Sequence, residues 1–120
     1  MSVSIEIRLV QGVQVLDVNG RITLGEGATE LRDAVRSVIR DGGKKVLLNL
    51  GEVAYIDSSG LGALVSSFAT MNNAGGQIKL LNVTKRVQDL LLITKLLTVF
   101  ETYDDEPTAL RSFACAAVAS

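Results

Sequence analysis

The feature that most constrains the fold is a strand-like run followed closely by a helix-like run. Val46 to Leu50 is almost continuously apolar, which is typical of a strand covered on both faces. From Leu61 to Met71 the apolar residues recur at helical spacing. The segment Asp57 to Gly62, with the sequence DSSGLG, lies at the start of that helix. A helix start presents unpaired backbone N–H groups and a partial positive charge, so this position suits an anion, or a hydroxyl that could become one.

Strand and helix patterns alternate along the whole chain. Residues 3–9 and 13–19 alternate apolar and polar residues around a Gln11-Gly12 turn, which predicts a hairpin. The later patterns complete the order ββαβαβαβα, with residues 51–57 predicted as a loop and 99–103 as the last strand. This order predicts an α/β sandwich with a mixed, mostly parallel sheet. The length of 120 residues predicts a single domain over 1–120.

Composition excludes several classes of function. Twelve basic and thirteen acidic residues give a net charge of -1, which argues against nucleic acid as the main partner. The absence of histidine removes the commonest general base and metal ligand, and no nucleotide motif is present. We therefore predict no enzyme activity, no catalytic or metal-binding residue and no cofactor. A single cysteine and the lack of a long apolar run predict a cytoplasmic protein without stable membrane insertion.

Two interpretations of Ser58 and Ser59 follow from their position. Either serine could cap the helix by accepting a backbone N–H, a bond that contributes about 1 kcal/mol. Either could instead accept a phosphate, which carries roughly -1.5 to -2 charges at pH 7. The two interpretations are compatible, because one serine could cap while the other is modified.

The neighbouring residues also leave alternatives open. Asp57 is either an ordinary loop carboxylate, or a group that orients a hydroxyl or adds charge to a docking face. Gly60 and Gly62 permit either close approach by a partner or nucleotide, or tight helix–sheet packing. The leucine-rich stretch 90–97 predicts either core packing or an exposed patch for partner binding and weak homodimer formation. Cys115 is interpreted as a small buried hydrophobe.

The segment from Tyr55 to Leu64, YIDSSGLGAL, closely resembles the signature of STAS domains, and more narrowly that of bacterial anti-sigma factor antagonists. Residues 12–16, 20–22 and 46–50 support the resemblance at the level of pattern, so it covers most of the chain. The resemblance implies a STAS-type sandwich with the helices on one side of the mixed sheet. It also implies a role in transcription regulation by partner switching.

In the family, the serine directly after the aspartate is phosphorylated by a GHKL-type serine kinase that is itself the anti-sigma factor. Carried over, the acceptor is Ser58. The unphosphorylated protein would bind the kinase and release a sigma factor, phosphorylation would switch binding off, and a serine phosphatase would reset the system. The implied partner-binding residues are Asp57, Ser59, Gly60, Leu61, Gly62 and Thr23.

One departure from the family pattern lies at Thr23, where family members often carry an aspartate. The loop that holds Thr23 is expected to lie beside the phosphorylation site, so the departure bears on partner identity. The alternative function is a non-switching STAS subunit of a lipid-transport or stressosome-like complex.

Overall fold

The computed structural model describes residues 3–25, 27–95 and 100–119, with side chains described as far as Phe113. The strands are β1 (Ser4–Val10), β2 (Val13–Ile22), β3 (Lys45–Ile56), β4 (Gln77–Leu81) and β5 (Thr102–Tyr103). The helices are α1 (Ala28–Arg40), α2 (Ser58–Asn73), α3 (Lys85–Ile93) and α4 (Glu106–Ala119). This is the predicted order of strands and helices. Val99, the predicted start of the last strand, lies outside the described residues.

The strands form one mixed sheet in the order β1-β2-β3-β4-β5. β1 and β2 are antiparallel, and each later neighbouring pair is parallel, as predicted. The hairpin turns at Gln11 and Gly12, whose φ angles of 53° and 81° are both positive. Two central residues with positive φ define a type I′ turn, which matches the twist of the flanking strands.

β3 is longer than the sequence indicated. Residues 51–56, predicted as a loop, continue the strand to Ile56, which pairs with Ile22 at the end of β2. The prediction was wrong because the pairing of β2 with β3 shifts register twice, between Asp17 and Asn19 and again between Gly20 and Arg21. Bulged residues break the strict alternation on which strand prediction depends. Because β3 ends beside the end of β2, α2 begins next to the end of β2.

The sheet has a hydrophobic core on each face. On one face, residues such as Leu16 and Leu48 pack with the buried sides of α1, α2 and α3. On the other face, Val15, Leu47 and Leu81 pack against Phe113 of α4. The expectation of helices on one side therefore holds for α1 to α3 and is wrong for α4. The physical reason is that β2 and β3 are apolar on both faces, and α4 covers the second face.

An ion-pair cluster ties α4 to the hairpin. Arg8 donates from Nε to Asp17 Oδ2 at 2.6 Å and from Nη2 to Glu106 Oε1 at 2.9 Å. The hydrogen bond from Arg8 lowers the pKa of Asp17, and a further bond from Asn49 Nδ2 adds to this effect. Because Glu106 is the first residue of α4, the cluster fixes where that helix begins.

The described part of the leucine-rich stretch is divided between core and exposed surface. Leu91 is buried and Leu90 packs against the core, whereas Leu92 and Ile93 are exposed. Leu96 and Leu97 lie outside the described residues, as does the side chain of Cys115.

Replacing Phe113 with alanine should weaken the attachment of α4 strongly. Phe113 is almost completely buried between α4 and the sheet, so Phe113→Ala should lower the free energy of unfolding by about 3 kcal/mol or more. Urea denaturation followed by circular dichroism measures this change. Leu92→Ala, at an exposed aliphatic position on α3, is the control and should change stability little. Similar losses for both variants would contradict the role of the second core.

Candidate functional site

The candidate site lies where β3 ends and α2 begins. Asp57 is the N-cap of α2, with extended backbone, and its Oδ1 accepts a hydrogen bond from the Gly60 amide at 2.8 Å. The expectation that a serine caps the helix is therefore wrong. Ser58 and Ser59 occupy the first two helical positions instead. An aspartate performs the cap at least as well as serine, because its carboxylate accepts from the same orphan N–H groups and favours the positive end of the helix.

The second carboxylate oxygen of Asp57 holds the loop between β2 and α1. Its Oδ2 accepts from the Leu24 amide at 3.3 Å, so one side chain joins that loop to the start of α2. The hydrogen bond from the Gly60 amide lowers the pKa of Asp57, and the Leu24 amide lowers it further. The carboxylate is thus a fixed negative charge beside Ser58 at neutral pH. Its contribution to stability is lost as the pH falls through this lowered pKa.

Residues Thr23 to Gly25, in the loop after β2, lie beside the start of α2, as the sequence predicted. Thr23 pairs with Gly27 in an isolated parallel bridge, and the Thr23 carbonyl accepts from the Ala28 amide at 3.3 Å. Thr23 is half-buried within this loop. The Leu24 side chain is 79% exposed, which places an apolar group next to the Asp57 contact.

The two glycines of the DSSGLG segment have different surroundings. A Cβ on Gly60 would lie 1.9 Å from the Ile22 carbonyl oxygen and 2.7 Å from Ile56 Cγ1. A Cβ on Gly62 would have nothing within 4 Å. Gly60 therefore permits tight helix–sheet packing, whereas Gly62 leaves an open surface that a partner's backbone could approach closely.

The predicted site residues divide into a surface group and an interior group. Ser58 and Gly62 are exposed, and Asp57 and Ser59 are partly exposed. Gly60 and Leu61 are buried, so they support the site through packing and do not form its surface. Sequence reasoning identified this cluster because its members are close together in the chain.

Sequence reasoning missed Arg86. Its guanidinium carbon lies 5.8 Å from the ring centroid of Tyr55, within the range of a cation–π contact. Tyr55 is 40% exposed near the end of β3, and Arg21 pairs with it across the sheet. The two residues lie far apart in the sequence, one on α3 and one on β3, so no local pattern could have indicated their contact. It places a cation against Tyr55, two residues before Asp57 in the chain.

Within the described parts of the chain, no group of His, Cys, Asp and Glu side chains could hold a metal ion. No helix among those residues is long and apolar enough to span a membrane.

Comparison with known proteins identifies the family. The profile of the STAS domain matches residues 4–109. The chain belongs to the STAS domain family. This STAS protein is similar to the anti-sigma F factor antagonist of Paenibacillus polymyxa, with 26% identity over 110 residues that cover 92% of this chain and 94% of the relative. These findings confirm the resemblance stated from the sequence.

Solved structures share the fold. The crystal structure of a Thermotoga maritima protein assigned as an anti-sigma factor antagonist matches with a TM-score of 0.83 and 25% identity, covering 90% of this chain and 92% of that one. The anti-sigma factor antagonist SpoIIAA in its unphosphorylated form matches with a TM-score of 0.68. The phosphorylated form of SpoIIAA from Bacillus matches with a TM-score of 0.72. Each match covers 92% of this chain, together with 98% of the unphosphorylated and 99% of the phosphorylated SpoIIAA chain. The sequence identity is 16% in both cases, so these matches show a shared fold.

Alanine substitutions at the two glycines should have opposite effects. Gly60→Ala should destabilise the protein by about 2 kcal/mol or more, because a Cβ would meet the Ile22 backbone, which has little room to move. Gly62→Ala should stabilise it by up to about 1 kcal/mol, because alanine is the better helix former and has free space there. Paired urea titrations measure both. Equal destabilisation by the two variants would contradict the packing described for Gly60.

Replacing Asp57 should separate its role as a cap from its charge. Asp57→Ala removes both hydrogen bonds to the Leu24 and Gly60 amides, so it should lower the urea midpoint of unfolding. Asp57→Asn keeps a carbonyl oxygen for the cap and should lower the midpoint less. The stability difference between wild type and Asp57→Asn should shrink as the pH falls, because the lowered pKa of Asp57 confines its advantage to the ionised form. A difference that grows in acid would contradict this account.

Proposed function

We propose that this protein is an anti-sigma factor antagonist that phosphorylation of Ser58 switches off. The observation that carries the proposal is the exposed Ser58 at the first position of α2, directly after the capping Asp57. The similarity to named anti-sigma factor antagonists supports the general role. Such an antagonist acts by binding another protein, which agrees with the prediction that the chain is not an enzyme. Its place of action would be the cytoplasm.

The start of α2 is physically suited to accept a phosphate. The first helical positions carry a partial positive charge and backbone N–H groups that stabilise an anion. Asp57 already uses both oxygens on the Gly60 and Leu24 amides. A phosphate on Ser58 would be repelled by that fixed carboxylate and would extend outward, towards whatever covers the site. The main effect of phosphorylation would therefore fall on a bound partner, and the fold would change little.

The surface around Ser58 offers the contacts that a protein partner requires. Leu24 supplies an exposed apolar side chain, and Gly62 leaves room for close backbone approach. Tyr55 and Arg86 add an aromatic and a cationic group, residue types that are enriched in interfaces. The proposed partner is an anti-sigma factor that is also a GHKL-type serine kinase. It would bind the unphosphorylated form, release its sigma factor and use ATP to phosphorylate Ser58, and a serine phosphatase would reverse the modification.

Phosphorylation by the anti-sigma kinase tests the proposal directly. The wild-type protein and its Ser58→Ala and Ser59→Ala variants are each incubated with the purified kinase and ATP, and the phosphate is located by mass spectrometry. We expect one phosphate on Ser58 in the wild type and in Ser59→Ala, and none in Ser58→Ala. Circular dichroism should show that all three proteins are folded.

A kinase that phosphorylates another substrate but leaves Ser58 unmodified would refute the proposed switch. In that case, co-purification with a transporter or a large assembly that Ser58→Asp does not disturb would favour the alternative of a non-switching STAS subunit. Phosphate on Ser59 alone would move the acceptor to the second helical position.

A further inference from the structure

β1 forms a free edge of the sheet. No strand pairs with its outer side among the described residues, and β1 is seven residues long. The described strand at the opposite edge, β5, has only two residues, Thr102–Tyr103. A long free edge exposes unpaired backbone groups that can pair with another strand, whereas a very short edge strand offers few.

The hairpin geometry determines which backbone groups of β1 face outward. Val10 and Val13 flank the two-residue turn and pair with each other, so they form the hydrogen-bonded pair that closes the hairpin. Antiparallel pairs alternate between hydrogen-bonded and non-hydrogen-bonded, so Arg8 and Glu6 also bond towards β2. The N–H and C=O groups of Ile5, Ile7 and Leu9 therefore point away from the sheet.

The side chains of the same residues are apolar, and two of them are exposed to an unusual degree, whereas Ile5 is partly buried against the core. Ile7 is 47% exposed and Leu9 is 68% exposed. Ile5 and Ile7 line one side of a shallow groove of about 380 Å³, and Glu30, Asp33 and Ala34 of α1 line the other. Outward backbone groups and exposed apolar side chains thus coincide on one strand.

We infer that β1 pairs antiparallel with β1 of a second copy to form a twofold-symmetric homodimer. With the axis at Ile7, each strand places Ile5 opposite Leu9, Glu6 opposite Arg8 and Ile7 opposite Ile7. Apolar residues meet apolar residues and opposite charges face each other, which is the favourable arrangement for cross-strand pairs. Arg8 retains donor capacity for the partner's Glu6, because its Nη1 makes only a long 3.5 Å contact with Glu106.

Charge selects this register over its neighbours. An axis at Glu6 would place the two Glu6 carboxylates opposite each other, and an axis at Arg8 would do the same with the two guanidinium groups. Like charges directly opposite are destabilising. In the register centred on Ile7, Leu9 of the second copy lies beside Ile5 and covers the apolar side of the groove. Dimerisation through β1 goes beyond the proposed switch and does not depend on phosphorylation of Ser58.

Sedimentation equilibrium of the full chain, from low micromolar to near-millimolar concentration, tests the dimer. We expect a reversible monomer–dimer equilibrium. Ile7→Lys places two like charges at the axis and should weaken dimerisation about tenfold or more. Leu9→Lys provides the same test at a more exposed position. The matched control is Ile93→Lys, at an exposed aliphatic position on α3, which should dimerise like the wild type.

Amide hydrogen exchange measured at low and high protein concentration locates the interface. The amides of Ile5, Ile7 and Leu9 should become more protected as the concentration rises, while those of Glu6 and Arg8 should not change. A protein that stays monomeric throughout the concentration range would overturn the inference. It would equally be overturned by a dimer that Leu9→Lys and Ile7→Lys leave intact, or by exchange at Ile7 that is independent of concentration.

Discussion

The site depends on the close approach of α2 to the end of β2. Gly60 lies so near the Ile22 carbonyl that a Cβ could not be accommodated, and the Asp57 amide donates to the same carbonyl at 3.3 Å. This contact fixes where α2 begins relative to the sheet. It leaves Asp57 in position to cap the helix and hold Leu24, and it leaves Ser58 exposed at the first helical position. The Ser58 hydroxyl thus lies at a helix start that the ends of β2 and β3 hold in place.

The proposed switch follows from adding charge at this fixed position. Phosphorylation would take the net charge of the chain from -1 to about -3. The helix start tolerates an anion, so the free protein should remain folded. A partner that covers Ser58 would instead have to bury an unpaired dianion beside the Asp57 carboxylate, and every 1.4 kcal/mol of that penalty weakens binding about tenfold. Phosphorylation of Ser58 could therefore control partner binding without unfolding the protein.

The sequence predicted the order of the elements and singled out Asp57 to Gly62 as the candidate site, because both depend on local patterns. It did not predict the full length of β3, since bulges opposite β2 interrupt the alternation. It could not distinguish Gly60 from Gly62, because their difference comes from the approach of Ile22 in space. It offered a serine as a possible cap, whereas Asp57 performs this role, since both residue types are good caps. The position of α4 and the Tyr55–Arg86 contact depend on tertiary packing, which no local pattern encodes.

The proposed switch is tested by the affinity of the proposed anti-sigma kinase for the unphosphorylated and the phosphorylated protein. Isothermal titration calorimetry of the unphosphorylated and the stoichiometrically phosphorylated protein, with thermal melts of each alone, separates binding from folding. Phosphorylation should weaken binding by at least about tenfold and change the melting temperature little. Equal affinities for the two forms, or a phosphorylated protein that has lost its fold, would contradict the proposed switch.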